Sequence, residues 1–137
     1  MKVVGWFLLA VGVSIAALWT LLLATGEVPE VTQGRGDIWF HIAAELAAAV
    51  LLVTAGAAVL RRTTRSRTLA ALALGALAYT VVNSPGYYAE RGDWAVVGMF
   101  AVLLAATLTA AVVLWRDSQP EATPSRAEGR DRAVTPA

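Results

Sequence analysis

Four side chains within apolar stretches of this sequence are of types that can do chemistry. His41 and Glu45 are four residues apart, and so are Tyr79 and Asn83. Residues with this spacing share one face of a helix. We therefore predict a polar pocket built from these four residues. In that pocket, a carboxyl group and an imidazole that titrates near neutral pH would bind a ligand or carry a proton.

A purely structural role for the same residues is the alternative. Polar side chains also fasten membrane helices together through hydrogen bonds, at about 0.6 kcal/mol each on average. Glu45 lies eight residues beyond Asp37, or ~12 Å along a helix axis. A carboxyl group at the bilayer centre costs about 2.5–3.5 kcal/mol. This cost favours a functional role for His41 and Glu45. For Tyr79 and Asn83 the structural role is favoured, and a set of polar side chains that only hydrogen-bond helices together is called a clasp below.

The remaining side-chain chemistry is sparse. The chain has one histidine and no cysteine, so disulfides and thiol chemistry are excluded, and a zinc site with three protein ligands is not predicted. A single histidine is enough for axial haem ligation, which stays open. No hydrolase, phosphate-loop or metalloprotease motif occurs. We assign no catalytic residue and no cofactor, and we expect a protein that is not an enzyme rather than an enzyme.

Hydrophobicity sets the fold class. Of 137 residues, 58% are apolar and 15% are charged, and the charges lie in blocks. A helix of about 20 apolar residues crosses the hydrocarbon core, and four stretches qualify: 3–25, 38–60, 69–88 and 94–115. We predict an all-α, polytopic membrane protein whose residues 1–116 form a four-transmembrane-helix bundle. The net charge of +1 gives no reason to expect nucleic acid as a partner.

Arginines predict the orientation. The link between the second and third spans holds Arg61, Arg62, Arg65 and Arg67 and no acidic residue, whereas the other two links lean acidic. Basic links stay in the cytoplasm, which places both termini there in a multi-pass protein of the cell membrane. The polar segment 117–137 should be a disordered cytoplasmic tail. A cleaved signal peptide, ending near Ala24-Thr25-Gly26, would leave three spans, but the first span is longer than a signal core.

Short motifs add local predictions. Both outer links end in Arg-Gly-Asp, at Asp37 and Asp93, which indicates either a duplicated hairpin or two aspartates that cap helices. Adhesion through this tripeptide is not favoured, because each copy abuts a span. Pro85 should kink or stop the third span at Ser84. Close helix contacts are expected at pairs of small residues four apart: Ala10, Ser14, Ala71, Gly75, Ala101 and Ala105.

The order of these features resembles the small bacterial DoxX-like membrane proteins. Glu45 lies early in the second span and precedes an Ala/Leu/Gly-rich run, 46–60; an arginine-rich link, two more spans and a polar tail follow. The resemblance implies four helices and a quinone-linked or redox-accessory role. The first span lacks the arginine and the Gly-Lys of that family, and the segment 83–88 is not a feature of it. An uncharacterised family of the same shape is the alternative.

Three classes of function follow from these observations. The favoured one is an accessory or assembly subunit of a larger membrane complex, in which the polar residues form a clasp. The second is a protein that binds or transports a small ligand or a proton through His41 and Glu45. The third is a quinone-linked membrane enzyme. The expected partners are the lipid bilayer and either further copies of the chain or a larger membrane complex.

Overall fold

The structure, a computed structural model, describes residues 1–26, 28 and 36–119 and consists of five helices. The helices are α1 (Lys2–Thr25), α2 (Asp37–Leu60), α3 (Ser66–Asn83), α4 (Pro85–Glu90) and α5 (Trp94–Arg116). No strand occurs in these ranges. The predicted tail lies outside the described residues from position 120 onward, as does most of the link between the first two spans.

Four helical segments are long and apolar enough to cross a membrane: α1, α2, α3 together with α4, and α5. The prediction of an all-α protein with four such helices is therefore confirmed. The third segment contains the break predicted from Pro85. α3 ends at Asn83, and Pro85 is the first residue of α4. The fixed φ of proline suits that position, where its missing amide proton is not needed.

The cap predicted at Asp93 is not made, and Asp37 does not precede its helix. α2 begins at Asp37 itself, so Gly36 takes the capping position. Asp93 does precede α5, but its side chain makes no capping hydrogen bond. The backbone amide of Val96, which a capping side chain would normally engage, instead donates to the main-chain oxygen of Asp93 at 3.0 Å.

α1 and α2 form the closest helix pair. Three glycines permit their approach: Gly5 and Gly12 on α1, and Gly56 on α2. A Cβ atom on Gly56 would lie 2.8 Å from the oxygen of Gly5 and 2.8 Å from the nitrogen of Leu9. A Cβ atom on Gly12 would lie 2.9 Å from the oxygen of Ala49. Main-chain atoms of one helix thus occupy the space where the other helix would carry a side chain.

The small-residue pairs predicted from the sequence do not make the close contacts within this chain, and that prediction is wrong. All six of those residues are exposed, and a Cβ atom on Gly75 would meet nothing within 4 Å. Spacing of small residues alone does not reveal which helix face meets a neighbour. Helices that are apolar on every side offer several such stripes.

Neighbouring helices form a row, with α1 packed on α2, α2 on α3 and α3 on α5. The end of this bundle at the α2–α3 link is called the arginine end, after Arg61, Arg62, Arg65 and Arg67. On the two outer helices, α1 and α5, the buried core lies toward that end. On α1 its residues are Val4 and Leu8, and on α5 they are Ala110 and Leu114. The N-terminal amine of Met1 also lies 3.0 Å from the Asp117 carboxylate there.

The opposite end of the bundle is open. Beyond Gly12, α1 has no buried residue, and before Thr107, α5 has none. α1 touches α5 and α3 only sparsely. The two outer helices of the row therefore meet at the arginine end and separate toward the other end.

A candidate ligand-binding cleft

The separation of α1 and α5 leaves a cleft of about 1160 Å³ in the half of the bundle away from the arginine end. This volume lies just above the range of about 300–1,000 Å³ that is common for small-molecule sites. One wall is a face of α1 that includes Val11, Ile15, Leu18 and Leu22, and the facing wall comes from α5 and includes Met99, Phe100, Val102 and Leu103. Apolar side chains thus make up most of both walls.

Polar side chains, several of them exposed, also line the cleft. His41 and Glu45 reach it from α2, and Thr80, Asn83 and Ser84 reach it from α3 and the residue after it. Ser14 adds a hydroxyl group from α1. Hydrogen-bonding groups from three parts of the chain thus converge in a cavity with apolar walls.

Three of the four residues singled out in the sequence lie together in this cleft: His41, Glu45 and Asn83. Tyr79 does not line it, and its side chain is 71% exposed. Tyr79 and Asn83 share one face of α3, but only Asn83, at the end of the helix, reaches the cleft. That ligand binding occurs at these residues stays a prediction.

Sequence reasoning missed three polar members of the cleft. Thr80, Ser84 and Ser14 are not among the predicted pocket residues, and hydroxyl groups in membrane helices give little signal because they usually bond to their own backbone. Thr80 does so, since its hydroxyl donates to the oxygen of Leu77 at 3.0 Å. The available signal was the spacing of Thr80 and Ser84, which are four residues apart, and the position of Ser84 directly after Asn83.

Glu45 has no bonding partner of its own. In the described part of the chain, no hydrogen bond or salt bridge joins its carboxyl group to another residue. The same ranges contain no fully buried side-chain oxygen or nitrogen that lacks a partner. The half-buried Glu45 must therefore present its oxygens to the open space of the cleft. They are not sealed between helices.

His41 lies one helical turn from Glu45 and is held from the side by Trp19. The two ring centroids are 5.8 Å apart, and the planes meet at 71°, an edge-to-face geometry that is favourable for aromatic rings. Trp19 also lines the cleft. This contact fixes the direction of the imidazole and ties α1 to α2 at the open end of the bundle.

The mouth of the cleft is lined by α4 and the turn that follows it. Tyr88 and Arg91 both border the cavity, and the Tyr88 ring stacks at a tilt on Phe100, with centroids 5.8 Å apart. The short helix created by Pro85 thus brings an aromatic and a cationic side chain over the open end.

The arrangement suits recognition of a small molecule through hydrogen bonds. It offers a carboxyl group, an imidazole, an amide and hydroxyls, which together can donate and accept. No group of three histidine, cysteine or acidic side chains that could hold a metal ion exists in residues 1–26, 28 and 36–119.

Comparison with known proteins yields one match. A family model described as "Domain of unknown function (DUF8058)" matches residues 1–126. No curated protein and no solved structure matches the chain. The resemblance to the DoxX-like proteins therefore stays a prediction. The matched range spans all five helices and both sides of the cleft, and the chain belongs to the DUF8058 family.

Proposed function

We propose that this protein binds an amphipathic small molecule in the cleft between α1 and α5. The observation that carries the proposal is the Glu45 carboxyl group, which faces a large cavity and makes no hydrogen bond or salt bridge in the described part of the chain. A carboxyl group within an apolar span costs several kcal/mol unless a hydrogen-bonding group compensates it. A bound ligand supplies that group.

The shape of the cleft favours an amphipathic ligand. Its walls, such as Ile15 and Leu18 on α1 and Val102 and Leu103 on α5, accept hydrocarbon. Its inner surface carries the hydrogen-bonding groups. A ligand with a hydroxyl, amide or amine at one end and an apolar body at the other would satisfy both surfaces.

The proposal includes the membrane setting. The four long helices cross the bilayer, with the arginine end and both termini in the cytoplasm, as the distribution of basic residues predicts. The opening between α1 and α5 then faces lipid in the outer leaflet. A ligand that is soluble in the membrane would enter sideways, without passing through water.

Ligand binding accounts for the cleft better than a clasp between helices does. A clasp requires polar side chains that bond across an interface, and neither Glu45 nor Asn83 makes a side-chain hydrogen bond in the part of the chain that the structure describes. The accessory-subunit role and the quinone-linked role stay predictions. Either would be compatible with a bound small molecule.

Native mass spectrometry of the full chain, purified in a mild non-ionic detergent, tests the proposal. We expect a non-covalent adduct on the wild type that organic solvent extracts. Glu45→Gln keeps the side-chain volume and removes the charge, and should lower adduct occupancy about tenfold, the effect of losing one hydrogen bond to a charged group. Ser14→Trp should abolish the adduct by filling the cleft from the α1 wall.

Thr54→Val is the matched control. Thr54 lies on α2 but outside the cleft, and its hydroxyl bonds to the oxygen of Val50 in its own helix at 2.8 Å. This variant should retain the adduct, and helical circular dichroism should show that all variants are folded. A wild type without any adduct, or an adduct that persists in both Glu45→Gln and Ser14→Trp, contradicts the proposal.

A further inference from the structure

A second, smaller groove runs between α3 and α5 near the arginine end. Its volume is about 360 Å³. Small side chains make it: Ala71, Gly75 and Ala78 on α3, with Ala111 opposite on α5. A Cβ atom on Gly75 would meet nothing within 4 Å, so no neighbouring helix of this chain fills the space.

A cation lies next to the groove, beside its lining residue Ser118, although it is not itself part of the lining. Arg67 is four residues before Ala71 and therefore lies on the same face of α3, one turn nearer the arginine end. Its Nη2 donates to the main-chain oxygen of Asp117 at 2.7 Å, which holds the guanidinium between the start of α3 and the end of α5. Trp115 lines the groove at the same level, where an indole ring is suited to an interface between hydrocarbon and water.

The charge of Arg67 is not neutralised within the described chain. Its bond to Asp117 is to a carbonyl oxygen, while the Asp117 carboxylate pairs with the amine of Met1. No salt bridge in the described ranges involves Arg61, Arg62 or Arg65 either, and all four arginines are exposed. A guanidinium has five N–H donors, so Arg67 retains donors for an anion.

We propose that the α3–α5 groove is a binding site for an anionic phospholipid. One acyl chain lies against Gly75 and Ala78, and the phosphate is held by Arg67 at the arginine end. Charge complementarity selects this occupant. A neutral apolar chain would use the groove and not the arginine, and a free phosphate would use the arginine and not the groove. This site is separate from the cleft and does not depend on its ligand.

Lipid titration of the delipidated full chain, read by native mass spectrometry in detergent, tests the site. The probes are dioleoyl phosphatidylglycerol, dioleoyl phosphatidylcholine and inorganic phosphate. We expect the wild type to bind phosphatidylglycerol about tenfold more tightly than phosphatidylcholine, the difference contributed by one charge-assisted contact. Inorganic phosphate should neither bind measurably nor compete with the lipid.

Variants separate the two parts of the site. Arg67→Gln should remove the preference for phosphatidylglycerol, whereas Arg67→Lys, which keeps a charged donor, should retain most of it. Arg61→Gln removes the same charge from the same link away from the groove and should change the affinity less than about twofold, because solvent and salt screen a surface charge at a distance. Gly75→Leu should weaken both lipids by filling the groove without touching the core.

Three results would overturn the site. Equal affinity of the wild type for both lipids excludes recognition of charge. Equal effects of Arg61→Gln and Arg67→Gln mean that binding follows the overall charge of the arginine end. A wild-type dimer that Gly75→Leu dissociates, with lipid affinity unchanged, assigns the groove to a second copy of this chain.

Discussion

The contact between α1 and α2 at Gly56 supports the sharpest prediction about stability. In Gly56→Ala the new methyl group would lie 2.8 Å from the Gly5 oxygen and the Leu9 nitrogen, about 0.6 Å short of the 3.4 Å at which ordinary contact begins. Neither backbone atom can rotate away. The helices must therefore separate by a similar distance along the tightest pairing in the bundle.

A gap of that size is costly, because a displacement of about 0.5–1 Å forfeits a quarter to a half of the dispersion energy of each contact. Overpacked sites typically lose about 1–3 kcal/mol. The better helix propensity of alanine offsets at most about 1 kcal/mol. We therefore expect Gly56→Ala to lower the free energy of unfolding by about 1–3 kcal/mol.

Gly98→Ala is the matched control for this prediction. Gly98 is also in the interior of a helix, and a Cβ atom there would meet nothing within 4 Å, so this variant should be neutral or up to about 1 kcal/mol more stable. Circular dichroism at increasing mole fraction of sodium dodecyl sulfate in mixed micelles measures both variants. Equal unfolding midpoints for Gly56→Ala and Gly98→Ala would refute the close crossing of α1 and α2.

Further substitutions test the link, the core and the buried polar group. Arg62 has a φ of 54°, a left-handed conformation that costs about 1–2 kcal/mol in residues other than glycine. Arg62→Gly should therefore raise the unfolding midpoint, and a lower midpoint would contradict that strain. Leu52 is 0% exposed, and Leu52→Ala should lower the free energy of unfolding by about 2–5 kcal/mol. Val50 is 64% exposed, and Val50→Ala should lower it by less than about 0.5 kcal/mol. Similar losses for the two variants would place the core elsewhere. Thr107 is buried, but its hydroxyl donates to the Leu103 oxygen of its own helix at 2.7 Å. Thr107→Val should therefore change the free energy of unfolding by less than about 1 kcal/mol. A larger loss in the same assay would reveal a hydrogen bond between helices.

The membrane-length helices and the break in the third span could be predicted from the sequence. Long apolar stretches satisfy their backbone hydrogen bonds only as helices in hydrocarbon, and Pro85 interrupts the third span because it has no amide proton. The prominence of Glu45 was equally visible, since a lone carboxyl group in an apolar stretch stands out by composition alone. These inferences need only local chemistry and residue type.

The packing partners could not be predicted in the same way. These helices are apolar around their whole circumference, so periodicity does not mark the face that meets a neighbour. Gly12 and Gly56 make close contacts, whereas Gly75 and Gly98, of the same residue type, face open space. Only the relative positions of the helices distinguish them.

For the candidate site, the sequence by itself determined which polar groups lie within the spans, and the tertiary structure decided which of them meet. His41, Glu45 and Asn83 line one cavity, and Tyr79 lies outside it although it shares a face of α3 with Asn83. The cavity itself exists because α1 and α5 meet at the arginine end and diverge beyond it. A divergence of helix axes is a property of packing between distant segments, and it has no local signature in the chain.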